Sequence, residues 1–184
     1  DYLVLVLVPL LTDLEQGTLP AVSYVVTVGS SEHPPSNPAA GQRLIRKMVT
    51  ALMQSDAWPS SAFMWAHDDW GGWYDHVEPP LRSESAIPGY DSLTGPGQCG
   101  APAPGEYQGR CGLGMRIPFI VVSRYARSNY VNHRTLQQSS VLRFIEDNWK
   151  LGRLGNQSFD GQAGSIEPFF NWNRNTKKLF LRPH

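Results

Sequence analysis

The chain has 184 residues, 41% of them hydrophobic and 17% charged, which is enough to close one core and is not the composition of a disordered segment, a collagen repeat or a coiled coil. Its 16 basic and 16 acidic residues cancel, so no net field draws nucleic acid or an anionic membrane, and an anionic substrate must be held by local groups. A single domain over residues 1–184 is expected.

In chain order, the opening YLVLVLVPLL (Tyr2–Leu11) is about half the length of a membrane span and lacks a basic leader and a small-residue cleavage site. It reads as a buried strand or a truncated edge. The chain starts at Asp1 without an initiator Met, as expected of a mature product or a fragment. AVSYVVTV (Ala21–Val28) is β-branched and apolar over the length of a buried strand, and the polar turn GSSEHPPSNP follows it. From Gly41 to Asp56, Leu44, Ile45, Met48, Val49, Leu52 and Met53 recur at helical spacing with Arg43, Arg46 and Lys47 opposite, which predicts an amphipathic helix. AFMWA (Ala62–Ala66) is a second strand, so a right-handed crossover would set the two strands parallel. Ligands of such sheets sit beyond the carboxyl ends of the strands, which would bring Glu32-His33 and Asp68-Asp69 to one edge.

Residues 81–115 are rich in Gly, Pro and Ser and too long for a simple connector, so they predict a functional or disulfide-pinned excursion. Cys99 and Cys111 flank its GAPAPGEYQGR stretch; a bridge there would close a loop with little core of its own, the alternative being two unpaired thiols of a cytosolic protein. RIPFIVVS (Arg116–Ser123) predicts a third core strand. QSSVLRFIEDNW (Gln138–Trp149) predicts a second amphipathic helix with Ser139 as N-cap and Val141, Leu142, Ile145 and Trp149 buried.

Chemistry concentrates in HDDWGGWYDHVEPP (His67–Pro80), where acids, imidazoles, aromatics and a glycine pair share one turn-rich segment. Adjacent carboxylates repel unless a cation lies between them or one takes a proton, so Asp68 and Asp69 are candidate ligands of a divalent cation, against the plainer reading of two solvated loop acids. Gly71 and Gly72 allow the turn that would aim both at one ion. His33, before two prolines, is a candidate to contact a phosphoryl oxygen or protonate a leaving group, against the plainer reading of a surface histidine. Asp75 and His76 are candidates to support the metal ligands from behind, or form a simple turn. The aromatics Trp65, Trp70, Trp73 and Tyr74 fit an apolar groove for a lipid or choline-like head group, or a core. There is no G-x-S-x-G elbow, Walker loop, H-E-x-x-H or CxxC pair.

On LPAVSYVV with SEHPPS, DDWGGWYDHVEPP, GRCGLGMRIPFIVVSRYA, SSVLRFIEDNW and SFDGQAG, in that order from about Leu19 to Trp172, the chain resembles the bacterial phosphoesterase family of phospholipases C and acid phosphatases, a branch of the alkaline phosphatase superfamily. The resemblance implies an α/β fold, a mostly parallel sheet flanked by helices in an alkaline phosphatase-like sandwich, here incomplete. It implies a metal-dependent site that hydrolyses phosphate esters through a Ser or Thr nucleophile. Asp68 and Asp69 fall on the family's acidic metal-binding pair, often Asp-Glu; His33 falls on the histidine facing the phosphoryl group; Asp75 and His76 match the DHV element. The family's Glu-Asn metal pair and its nucleophile have no counterpart in this chain, which therefore matches the C-terminal half of the catalytic domain.

The resulting expectation is a phosphoric ester hydrolase whose partners are a phosphate ester or phospholipid substrate and the missing N-terminal half, with neither nucleic acid nor a transmembrane segment. Because the matching family is largely exported, a secreted or periplasmic location and a Cys99–Cys111 disulfide are expected. The competing readings are a non-catalytic fragment or pseudoenzyme, and a sulfatase-like hydrolase on the same scaffold.

Overall fold

The apolar opening run does not stay extended. In the computed structural model, which describes residues 2–5, 7–26, 32, 33, 35–72, 75–84, 92–100, 105, 111–156 and 158–173, strand β1 takes Tyr2–Leu5 and helix α1 takes Leu7–Gln16. The single strand expected as far as Leu11 is thus corrected. Pro9 lies in the first turn of α1, where its missing N–H removes no intrahelical bond, and Leu10 and Leu14 stack one turn apart on the buried face. Gly17 ends the helix at φ +69°, and the Thr18 backbone N–H and hydroxyl donate to the Asp13 carbonyl and carboxylate, both at 2.9 Å.

The chain divides into two compact units, Asp1–Trp65 with Phe119–Asn129 and Phe170–His184, and Ala66–Pro118 with Tyr130–Phe169. In the first unit β2 (Val22–Val25) pairs parallel with β1, from Tyr2 opposite Val22 to Leu5 opposite Val25. Residues 27 and 28 of the expected strand lie outside the described residues. The strand is not fully buried, since Val26 just beyond it is 59% exposed: a two-stranded ladder covers only part of each strand.

Helix α2 runs Pro38–Gln54 and starts three residues before the expected Gly41. Asn37 caps it by accepting the Ala39 N–H at 3.0 Å, and Pro38 takes the first helical position, where its fixed φ suits the turn. Its apolar stripe works as the spacing predicts: Met48 and Leu52 bury with Leu10 and Leu14, with Leu44, Ile45, Trp58 and Phe63 packed around them.

Strand β3 (Ala62–Ala66) pairs with β6 (Phe119–Ser123), and the Ser123 hydroxyl donates to the Ser61 carbonyl at 2.9 Å. Among the described residues, β2 and β3 therefore belong to different two-stranded sheets, and the expected crossover between neighbouring parallel strands is not formed. β1, read from sequence as part of a longer strand, occupies the ladder of β2 instead. The unit closes on an antiparallel bridge between Ala126 and Phe170, with the Phe170 and Trp172 rings stacked at 4.7 Å.

In the second unit, the described residues of the excursion at 81–115 include a short antiparallel hairpin, β4 (Leu93–Gly95) and β5 (Gln98–Cys99), turning at Gly97 with φ +69°. Cys99 and Cys111 are bonded, Cα to Cα 5.6 Å, and Cys111 is 1% exposed. Helix α3 spans Ser139–Trp149. Ser139 is its first residue and not its N-cap; Gln138 holds the cap position without a side-chain capping bond, and the buried Ser140 hydroxyl accepts the Gln137 N–H at 3.1 Å.

The buried face of α3 also differs from expectation, because Trp149 is exposed while Ser140 and Glu146 are buried. Glu146 can be buried because Arg153, beyond the helix end, reaches it at 3.2 Å and Asp147 at 2.6 Å. Asp160, fully buried in the 3-10 turn Phe159–Gly161, accepts the Leu154 N–H at 3.0 Å. Among the described residues this unit contains a disulfide, the Glu146, Arg153 and Asp160 groups, and the buried Ala163 and Ile166.

Candidate active-site segment

Strand β3 ends at Ala66 and delivers His67, Asp68 and Asp69 into a loop, both aspartates being exposed. The chain then reverses through Gly71 and Gly72 at φ +68° and +76°, a backbone that glycine adopts without a steric cost. Asp69 Oδ1 accepts the Gly71 N–H, so one oxygen of Asp69 is spent on holding the turn. The Asp68 carboxylate makes no hydrogen bond or ion pair among the described residues. Its backbone carbonyl accepts a 2.6 Å bond from Gln138 Nε2, from a residue 70 positions away in sequence.

Asp75 is committed. Arg116 Nε and Nη2 grip its two oxygens at 2.7 and 2.9 Å, and its Oδ1 also accepts the Val77 N–H at 3.2 Å. The Arg116 hydrogen bond, opposed by burial, holds the Asp75 carboxyl well below the usual carboxylate range, and the same bond raises Arg116. His76 beside it is exposed. Trp70 is exposed and Trp65 half-buried, whereas Trp73 and Tyr74 lie outside the described residues.

His33 is exposed, and its carbonyl accepts the Ser36 N–H at 2.8 Å just before the cap of α2. Its neighbour Glu32 lies across Gly41 of α2, where a β-carbon would collide with Glu32 Cγ, so this glycine lets the His33 segment pack onto the helix. Asp68, Asp69, Asp75 and His76 thus share the second unit, and His33 belongs to the first.

As a metal donor set, the exposed carboxylate of Asp68 and the remaining oxygen of Asp69 are hard ligands of the kind Mg²⁺, Ca²⁺ and Mn²⁺ take, but these ions use six or more oxygens. No group of three or more His, Cys, Asp or Glu able to hold a metal occurs among the described residues. The segment fits part of a site.

Sequence reasoning missed three features of the second unit. Arg116 was read only as the start of a strand, and its partner lies 41 residues away, beyond any local pattern. The Glu146, Asp160 and Arg153 cluster was hidden in a helix face and a tail without periodicity. There, burial and the nearby Asp160 charge push Glu146 up against the opposing pull of Arg153, while the Ser158 hydroxyl and the Leu154 amide hold Asp160 down against its burial. A polar cleft of about 100 Å³, lined by residues including Arg82, Ser83, Thr135, Gln137 and Gln162, closes on Gly164, which leaves no room for a β-carbon against the Thr135 carbonyl.

No helix of the described residues is long and apolar enough to cross a membrane. The chain is 30% identical over 159 residues to a non-hemolytic phospholipase C of Burkholderia pseudomallei, a match covering 85% of this chain and 22% of that protein. It is 31% identical over 163 residues to phospholipase C A of Mycobacterium tuberculosis, covering 87% and 31%. Against non-specific phospholipase C1 of Arabidopsis thaliana it is 26% identical over 174 residues, covering 86% and 31%. The chain therefore spans less than a third of the length of these relatives. The sequence profile of the Phosphoesterase family matches residues 5–152, and the chain belongs to that family.

Proposed function

We propose that this chain is the carboxyl-terminal portion of a metal-dependent phosphoesterase of the phospholipase C or acid phosphatase type, both units forming one α/β catalytic domain of the alkaline phosphatase kind. The observation that carries the reading is the Asp68–Gly72 turn. Two consecutive exposed acids leave a strand, one of them uncommitted, in the stretch matched by the Phosphoesterase family. When bound, a divalent cation supplies Lewis-acid polarisation of a phosphoryl oxygen.

The chain's own residues then have these roles. Asp68 and Asp69 hold the ion through oxygen, His33 faces the same phosphoryl group and steadies or protonates one of its oxygens, and Asp75 with His76 supports the loop from behind. The Asp75–Arg116 pair favours that supporting role, because it ties the loop after Gly72 to the segment that leads into β6. The nucleophile and the remaining metal ligands come from sequence outside this chain, a reading supported by the small share of each relative that it spans. The disulfide and the bacterial relatives support a secreted or periplasmic location. A phospholipid substrate follows from the relatives' names alone.

The second reading is a non-catalytic partner of that missing portion, supported by the chain's spanning less than a third of each relative's length. Turnover separates the two. Joined to the N-terminal half of a relative, the chain should hydrolyse p-nitrophenyl phosphate or a phosphatidylcholine vesicle in a metal-dependent manner, with His33→Ala and Asp68→Asn each reducing the rate. Equal turnover by those variants would remove the assigned roles, and metal-dependent turnover by the isolated chain would show that the nucleophile lies within it.

A further inference from the structure

We propose that Gln138 is a positioning residue that fixes the Asp68–Gly72 loop, an inference that rests on the reading of that loop as a cation-binding segment. Gln138 Nε2 donates a 2.6 Å hydrogen bond to the Asp68 carbonyl. That carbonyl belongs to the peptide joining the two acids, so holding it sets the direction in which both carboxylates leave the chain. Because the bond goes to backbone, neither carboxylate is consumed, and Asp68 stays open to an ion.

The helix itself points the same way. Gln138 occupies the cap position of α3, where Ser, Thr, Asp or Asn would satisfy an unpaired N–H, yet it makes no capping bond. Its side chain is spent on the acid loop instead. The neighbouring Gln137 reaches the Phe159 carbonyl at 3.2 Å, next to the buried Asp160, and its own N–H is taken by the Ser140 hydroxyl. The start of α3 is thus anchored on the 3-10 turn and braces the loop from a fixed point. On the other side Asp69 closes its own turn onto Gly71. The loop is therefore held at the peptide joining the two acids and, through the Asp69 side chain, at the Gly71 amide.

The test is hydrogen exchange combined with Mn²⁺ titration, read from the paramagnetic resonance signal of the free ion, both on the full chain joined to the N-terminal half of a relative. Gln138→Ala and Gln138→Glu, which both lack the donor at neutral pH, should speed exchange at 69–72 by about fivefold, the worth of one ordinary hydrogen bond, and Gln138→Ala, which adds no charge, should weaken Mn²⁺ binding by the same factor. Gln138→Lys, which restores a donor, should recover loop protection. Exchange across the rest of α3 should not change. Faster loop exchange in the Ala and Glu variants without any Mn²⁺ binding by the wild type would support the strut and sink the metal reading. Mn²⁺ binding that Asp68→Asn abolishes but the Ala and Glu variants leave intact, with equal loop protection, would overturn the strut alone. Loss of protection throughout α3 in both variants would make Gln138 a helix residue only, and would also overturn it.

Discussion

Removing the Cys99–Cys111 bridge should destabilise the chain by about 3 kcal/mol. The bridge spans 12 positions, and forbidding the open conformations of a loop that size removes about 10 cal/mol/K from the unfolded chain, or about 3 kcal/mol at 25 °C. The β4–β5 hairpin ends at Cys99, where the closed loop begins, and Cys111 at the loop's other end is buried in the second unit with its sulfur 3.4 Å from the Ser92 carbonyl. The double variant Cys99→Ala, Cys111→Ala suits the test, since serine would bury a hydroxyl at Cys111. Thermal unfolding followed by far-ultraviolet circular dichroism should show a midpoint lower by about 6–12 °C if the chain melts in one transition. Dithiothreitol should shift the wild type equally and leave the variant unmoved. An unchanged midpoint on reduction would refute the reasoning, because it would mean that the excursion is ordered without the bond.

Gly164→Ala forces a β-carbon onto the Thr135 carbonyl, and overpacking of this kind costs about 1–3 kcal/mol, readable as a lower urea midpoint; a midpoint at the wild-type value would show that the cleft yields freely. Stability should fall at both ends of the pH range. Asp75 and Asp160 are held below the ordinary carboxylate value, so what they contribute is present above about pH 4 and is lost as pH falls through their folded values. Glu146 is raised, so its contribution is complete below the unfolded value of about 4.3 and is lost as pH rises through its folded value. Glu146→Gln should flatten that upper limb and Arg116→Met should flatten Asp75's part of the acid one, with urea midpoints across pH as the measurement; parallel profiles for wild type and both variants would contradict these assignments.

The elements with a clear period were legible. The stripe from Leu44 to Leu52 announced α2, and the apolar run at Ala62–Ala66 announced β3. The opening run was not, because uninterrupted Leu and Val carry neither a period of two nor one of 3.6, and only the packing of Leu10 and Leu14 against Met48 and Leu52 selects a helix there. The start of α2 was missed for a different reason: Asn37-Pro38 reads equally as turn chemistry and as a cap with its first helical residue. In α3, periodicity favoured burial of Trp149 over Glu146, and the groups that reverse that choice, Arg153 and Asp160, follow the helix in sequence. The Asp68–Gly72 turn was readable because adjacent acids before a glycine pair need a special backbone. That Arg116 and Gln138 hold the segment depends on contacts 41 and 70 positions away.

The central claim is that Asp68, Asp69 and His33 serve one cation-assisted phosphoryl site. Paramagnetic broadening by Mn²⁺ of the amide resonances of the ¹⁵N-labelled chain joined to the missing half tests it most directly, since the effect reports proximity to the ion without requiring turnover. Selective broadening is expected at residues 68–72 and around His33 at the same Mn²⁺ concentrations, abolished at both by Asp68→Asn together with Asp69→Asn. Broadening confined to the acid loop, or at His33 unchanged in that double variant, would contradict the shared site.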